Sequence, residues 1–360
     1  RRHTRFRNVT GVQTCALPIC IAKDWFGGGG LDDTLYKIAG WFEYDDNNGG
    51  GTSGVKWADI TKKPASAPPY KTAAYRFNFQ PHPGGKTAND YSLIFNIVAG
   101  ANNTADRVTQ LMNVADMENW MRVFAHRRVI SDWDSWSYNT GQNMYMYAPL
   151  GERAKLMSWD MDFVLGLGDG STASLFSAGE DPVVQSLMNV PAYRRMMWRA
   201  YIDACNGPLL KAVSDPQFDS RQIMLSKNAV GASSPSSLKS FVSGRRTYIL
   251  GQQNTADAKN FTVTTPDSTS STPTFTISGA APFAIATIEV NGIPYPVKWT
   301  TATAWNISVP LGAQINVLNI VGKDLRGNVY TNATKQITIT YTGAVPLAAD
   351  WVVINEIMYN

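Results

Sequence analysis

The 360-residue sequence predicts an α+β chain in two parts, a mixed helix and strand region followed by an all-β sandwich. Three observations carry that prediction. Apolar residues recur at helical spacing in several stretches before about Leu250. A period-two hairpin pattern interrupts them between Gln142 and Phe163. After Gly251 the texture changes to short β-type runs separated by turns.

The first nineteen residues, RRHTRFRNVTGVQTCALPI, resemble translated sequencing-adapter DNA, so 1–20 is set apart as an adapter-derived scar outside fold reasoning. Residues 21–256 form the mixed region. Within it 45–69, rich in Gly, Asn, Ser and Pro, reads as a long loop without regular structure. Asp116 can cap a helix in which Met117, Trp120, Met121, Phe124 and Ala125 share one apolar face. The hairpin follows: 142–148 alternates, Gly151-Glu152-Arg153 is the polar turn, and 155–163 alternates again. On that pattern Asp160 and Asp162 share one face, while Trp159, Met161 and Phe163 point into a core. Asp181-Pro182 starts a helix, and Pro191 starts another through Met196, Met197, Ala200, Tyr201 and Ala204 until Gly207-Pro208 stops it.

Residues 257–345 contain seven β-type runs, 261–265, 274–278, 286–290, 295–299, 305–309, 315–321 and 335–341, and this density predicts an immunoglobulin-like sandwich. Asn291-Gly292 between two of the runs is a strong hairpin signal. No clustered His, Asp or Glu equips this part for chemistry, so a spacer or adhesion role is the expectation, with contact to a cell surface or polysaccharide.

The formal charge of +4 rests on Arg1, Arg2, Arg5 and Arg7 of the adapter-like segment, which holds no acid; without them the chain is neutral. That excludes an electrostatic case for nucleic acid or an anionic membrane surface. Of three cysteines, Cys15 and Cys20 belong to the scar and its junction, leaving Cys205 as a buried small hydrophobe with no disulfide framework or zinc site. No apolar run reaches the roughly eighteen residues of a membrane span. Gly84-Gly85-Lys86-Thr87 lacks the first glycine of a phosphate-binding loop, and Gly27 to Gly30 lacks the context of a dinucleotide site. Gly166-Leu167-Gly168-Asp169-Gly170 reads either as a mobile segment or as a plain turn.

The chemistry concentrates in SDWDSWSYNTGQNMYMYAPLGERAKLMSWDMDF, residues 131–163. Four aspartates and Asn143 around one hairpin suit a site that holds a divalent cation through carboxylate and amide oxygens, because close carboxylates repel unless a cation or proton relieves them. Phosphoryl transfer uses such a set plus an acid that positions the attacking hydroxyl. The runs WDSWSYNTGQNMYMY and SWDMDFVLG resemble the CotH family of spore-coat-type atypical protein kinases, with Ser158 where that family usually has proline. The similarity extends from Leu35-Tyr36-Lys37 to Pro191-Ala192-Tyr193-Arg194-Arg195. The resemblance implies a kinase-like C-terminal lobe, ATP with Mg2+ or Mn2+ as cofactors, and a protein substrate with Ser or Thr acceptors. It implies Asp134 as the base-like residue, Asn143 and Asp160 as metal- and nucleotide-binding residues, and Asp162 as a further metal ligand. Asp132 is expected to be a solvated or capping residue. The lysine that grips nucleotide phosphates is expected upstream of Leu35, in a lobe truncated here. WVVINEIMYN resembles the opening strand of a bacterial lamin-tail-type domain, assigned to 349–360. Such neighbours imply an extracellular or cell-surface bacterial setting. The alternative is a non-catalytic pseudokinase scaffold or adhesion module.

Overall fold

The structure, a computed structural model, describes residues 26, 34–43, 54–63, 74–81, 90–177 and 179–345. The adapter-like segment, the glycine runs at 27–30 and 84–87, and the lamin-tail-like end at 349–360 lie outside the described residues. The chain divides into two compact units, Arg1–Gln252 and Gln253–Asn360.

In the first unit the strands are β1 (Thr34–Ile38), β2 (Trp41–Glu43), β3 (Gly54–Lys56), β4 (Phe79–Pro81), β5 (Met144–Ala148) and β6 (Lys155–Ser158). Four of them make one antiparallel sheet in the order β4-β1-β5-β6, with Tyr36 opposite Met146 and Met146 opposite Leu156. The other two pair with each other, so the region read as one long loop contains a strand, β3. Every residue of β5 is buried. The period-two pattern therefore separates two covered faces here rather than core from solvent. One face gathers Leu35, Tyr145, Tyr147 and Met157, with Trp159 set edge-on to Tyr145.

Helices α1 (Ser92–Asn102), α2 (Arg107–Val114) and α3 (Met117–Val129) precede the hairpin, and α4 (Pro182–Met188), α5 (Pro191–Asn206), α6 (Lys211–Lys227) and α7 (Ser236–Ala256) follow it. The cap signals hold: Asp116 accepts from the Asn119 N–H, and Asp181 accepts from Val183 and Val184. Met117, Trp120, Met121, Phe124 and Ala125 of α3 are all buried. That face is tied to the hairpin, since Trp120 Nε1 donates to the Ala154 carbonyl at 2.9 Å and the Leu156 N–H donates to Asn119 Oδ1 at 2.7 Å. No described helix is long and apolar enough to cross a membrane.

The expected second strand is too long. β6 stops at Ser158, because Asp160 takes a left-handed backbone with φ +53° that leaves the strand region. Asp160 and Asp162 therefore do not share a strand face, and Met161 and Phe163 are exposed rather than core.

The second unit holds β7 (Thr262–Val263), β8 (Ser268–Ser270), β9 (Thr274–Ala280), β10 (Thr287–Val290), β11 (Lys298–Trp299), β12 (Ala304–Pro310), β13 (Ile315–Lys323) and β14 (Val329–Tyr341). They form two four-stranded sheets, β10-β13-β14-β8 and β11-β12-β9-β7, around one core that includes Ile277, Ile288, Trp305, Ile320 and Ile337. Strand β8, which runs parallel to β14, is polar and so carries no apolar alternation to announce it. Asn291 and Gly292 both take positive φ, and Val290 and Ile293 exchange two hydrogen bonds across them. The hairpin ends after that one pair, because β10 goes on to pair with β13 and β11 with β12.

Candidate functional site

The site is built on the C-terminal end of α3 and the mouth of the β5–β6 hairpin. After α3 the chain reverses at Ser131, φ +53°, and closes a compact loop in which the Trp136 N–H donates to the Gln142 carbonyl at 3.0 Å. Trp136 is buried, and its Nε1 donates to Asp181 at 2.9 Å, which fixes the loop to the start of α4.

Within this loop the Asp134 carboxylate is held from three directions. Oδ1 accepts from Thr140 Oγ1 at 2.9 Å and from Gln142 Nε2 at 2.7 Å, and Oδ2 accepts from Asn143 Nδ2 at 3.0 Å. The same amide donates to the Asp134 carbonyl at 2.8 Å. Two of the sequence-predicted residues, Asp134 and Asn143, are thus in direct contact. The Asn143 amide group is committed to Asp134, which leaves its Oδ1 as the amide atom available to a cation.

The last rung of the hairpin is the Trp159 N–H donating to the Asn143 carbonyl at 3.1 Å. Just outside the ladder, Asn143 and Asp160 both have left-handed φ, +61° and +53°. Asn and Asp tolerate that region better than other side chains. Arg127, fully buried on α3, donates to the carbonyls of Asn143 and Trp159 and to Asp132 Oδ2. Burial pushes its guanidinium below the ordinary arginine value, and the carboxylates of Asp132, Asp134 and Asp160 push back. One buried cation therefore feels three of the four acids.

Asp132 departs from expectation. It is fully buried and ion-paired with Arg127, not solvated. Burial raises its pKa while the Arg127 charge opposes the shift. Asp160 and Asp162 are exposed, and no hydrogen bond to either carboxylate occurs among the described residues. No hydrogen bond among the described residues joins Asp162 to Asp134. Among the described residues no three His, Cys, Asp or Glu side chains converge on one metal position. The oxygen donors present fit a hard divalent cation that keeps water and phosphate oxygens in its shell: the Asn143 Oδ1, the uncommitted Asp160 carboxylate and, further along, Asp162.

The segment after the hairpin, 164–177, is anchored along its length. Leu165 donates to the Ile130 carbonyl at 2.8 Å, Ser131 Oγ to the Gly170 carbonyl at 3.2 Å, and Arg245 Nη1 to the carbonyls of Ser171 and Ala173 at 3.0 and 2.6 Å. Gly166 and Gly168 take φ +100° and +115°, and the Gly168 backbone lies against the Trp133 indole. A cavity of about 390 Å³ lies elsewhere in the unit, lined by Lys56, Trp57, Asp59, Lys63, Asn78 and Glu180 among others. Its lining does not include the acids of the hairpin mouth.

Arg127 was not legible as a site residue from its type, since His126-Arg127-Arg128 looks like a solvated basic helix end. Its position was the available signal: Met117, Trp120, Phe124 and Arg127 fall at i, i+3, i+7 and i+10, so the arginine continues the buried stripe.

Around one hairpin the helical scaffold presents an acid, an amide and a second acid, Asp134, Asn143 and Asp160. Comparison with protein-family profiles matches the CotH kinase protein family over residues 43–231, more than half of the chain, and the chain belongs to that family. No curated protein matches the sequence.

Proposed function

We propose that this protein transfers the γ-phosphoryl group of ATP to a Ser or Thr hydroxyl of a surface or secreted protein, with Mg2+ or Mn2+. The observation that carries this reading is the bonding of Asn143 to both the carboxylate and the carbonyl of Asp134 beside the mouth that ends in Asp160. Asp134 orients the acceptor hydroxyl and takes up its proton; three donors hold its carboxylate in one direction. Asn143 Oδ1 and Asp160 would hold the metal, and Asp162 would be a further metal ligand. A divalent cation held there would supply positive charge that neutralises the phosphate oxygens. The β-sandwich acts as a spacer or a contact to cell-surface polysaccharide, in an extracellular bacterial setting.

Thermal unfolding of the full chain with Mn2+ and ATP tests the reading. Ligand at about 100 times its dissociation constant adds roughly 2.7 kcal/mol to wild type. The shift is expected to vanish with EDTA and in Asp160→Asn. A shift of equal size in Asp160→Asn would remove Asp160 from the site, and no shift in wild type would count against nucleotide chemistry altogether.

A further inference from the structure

We infer that Arg127 is a positioning residue: its guanidinium fastens the two carbonyls at the hairpin mouth and so sets the directions in which Asn143 and Asp160 leave the strands. That Asn143 and Asp160 are functional rests on the proposal above; the fastening itself does not.

The β5–β6 ladder ends at the Trp159 to Asn143 hydrogen bond. Beyond it the strands separate, and both mouth residues enter left-handed backbone that ladder geometry does not support. Side-chain bonds hold Asn143 through Asp134, but among the described residues none holds Asp160, whose carboxylate is exposed. The direction of Asp160 therefore depends on its backbone, and the peptide entering it begins at the Trp159 carbonyl. Arg127 donates to that carbonyl and to the Asn143 carbonyl through one nitrogen, and to Asp132 through the other. A planar guanidinium can serve two diverging carbonyls and a carboxylate at once, whereas a lysine ammonium is a point donor on a flexible stem.

The charges suit this division of labour. Asp132 is buried with Arg127 and neutralises it, so the arginine does not need Asp134 or Asp160 as counter-ion. Those two carboxylates stay available to an acceptor hydroxyl and a divalent cation.

The test uses the full chain and three variants: Arg127→Lys, Arg127→Met and Asp132→Asn. Hydrogen exchange at the Trp159 amide reads whether the mouth rung is closed, and Mn2+ with ATP reads the site. In Arg127→Lys that still melts cooperatively, Trp159 exchange is expected to rise at least tenfold and Mn2+–ATP affinity to fall at least tenfold, with exchange in the rest of β6 unchanged. Arg127→Met is expected to show the same pattern more strongly. Asp132→Asn keeps the guanidinium and its two carbonyl bonds; it is expected to lower the melting temperature while leaving Trp159 exchange within a factor of three of wild type. A folded Arg127→Lys with wild-type exchange at Trp159 overturns the inference. So does an Asp132→Asn chain whose Trp159 rung opens as far as in the arginine variants, a result that can be read even where Arg127→Lys does not fold. Wild type that ignores Mn2+–ATP while its exchange responds as described would sink the phosphoryl-transfer reading and leave the fastening in place.

Discussion

Gly141→Ala offers the sharpest check on how the Asp134 loop is supported. A Cβ at Gly141 would lie 2.8 Å from the Trp57 carbonyl carbon and closer still to the Ala58 N and O, where ordinary contact begins at 3.4 Å. These are backbone atoms and cannot swing aside, so segment 57–58 or the loop must move by more than half an ångström. That movement breaks the buried hydrogen bond from the Ala58 N–H to the Gly141 carbonyl, 3.1 Å long. Overpacking of this kind costs about 1–3 kcal/mol. Leaving a buried donor unpaired costs a further ~1–3 kcal/mol. A total near 4 kcal/mol corresponds to a drop in Tm on the order of 10 °C for a unit of this size. The flanking residues Thr140 and Gln142 both donate to Asp134, so the response to Mn2+–ATP should shrink as well. Differential scanning calorimetry of the full chain reads the first effect. Gly170→Ala is the control, since no atom lies within 4 Å of its added methyl. A Gly141→Ala chain melting within about 2 °C of wild type would refute the close-approach reasoning.

Two further outcomes follow from titratable groups. Burial pushes Asp181 up to about 6 from an ordinary 3.8, against the pull of Val184, Ile60 and Trp136 as donors. Its folded form holds the proton more tightly than the unfolded chain, so its contribution is greatest below pH 4 and declines by about 3 kcal/mol as pH rises to 6. Asp181→Asn should remove that slope from the difference between the two stability curves, and an unchanged slope would contradict the assignment. Burial also pushes the Cys205 thiol up to about 11. The Cys205 peptide should therefore stay unlabelled by iodoacetamide at pH 8 in folded protein and label fully in urea, as read by mass spectrometry.

The parts of this fold that announce themselves do so through local rules. Asp116 and Asp181-Pro182 are helix starts because a side-chain oxygen can satisfy N–H groups of the first turn, and they act as such here. Alternation located β5, whose partners and buried faces the pattern could not supply. The same alternation continues through Trp159-Asp160-Met161-Asp162-Phe163 although the strand does not, since a residue's φ leaves no trace in polarity. Asp134 and Asn143 were readable as an ordered pair, and their contact was not. Arg127 and Asp132 were hidden for a different reason: each is a surface residue by type, and only the pairing of the two makes their burial tolerable.

The strand lengths of the β-sandwich carry a consequence for life at high local concentration. The outer strands β10, β8, β11 and β7 have four, three, two and two residues, while the inner β13, β14, β12 and β9 have nine, thirteen, seven and seven. An unpaired strand margin is a template on which another chain can add, and its stickiness grows with length. Here the outer strands end early: β8 pairs with β14 only from Ile339 to Tyr341, so among the described residues Val329–Thr338 meets a partner strand on the β13 side alone, and that stretch is the margin to which another copy could add.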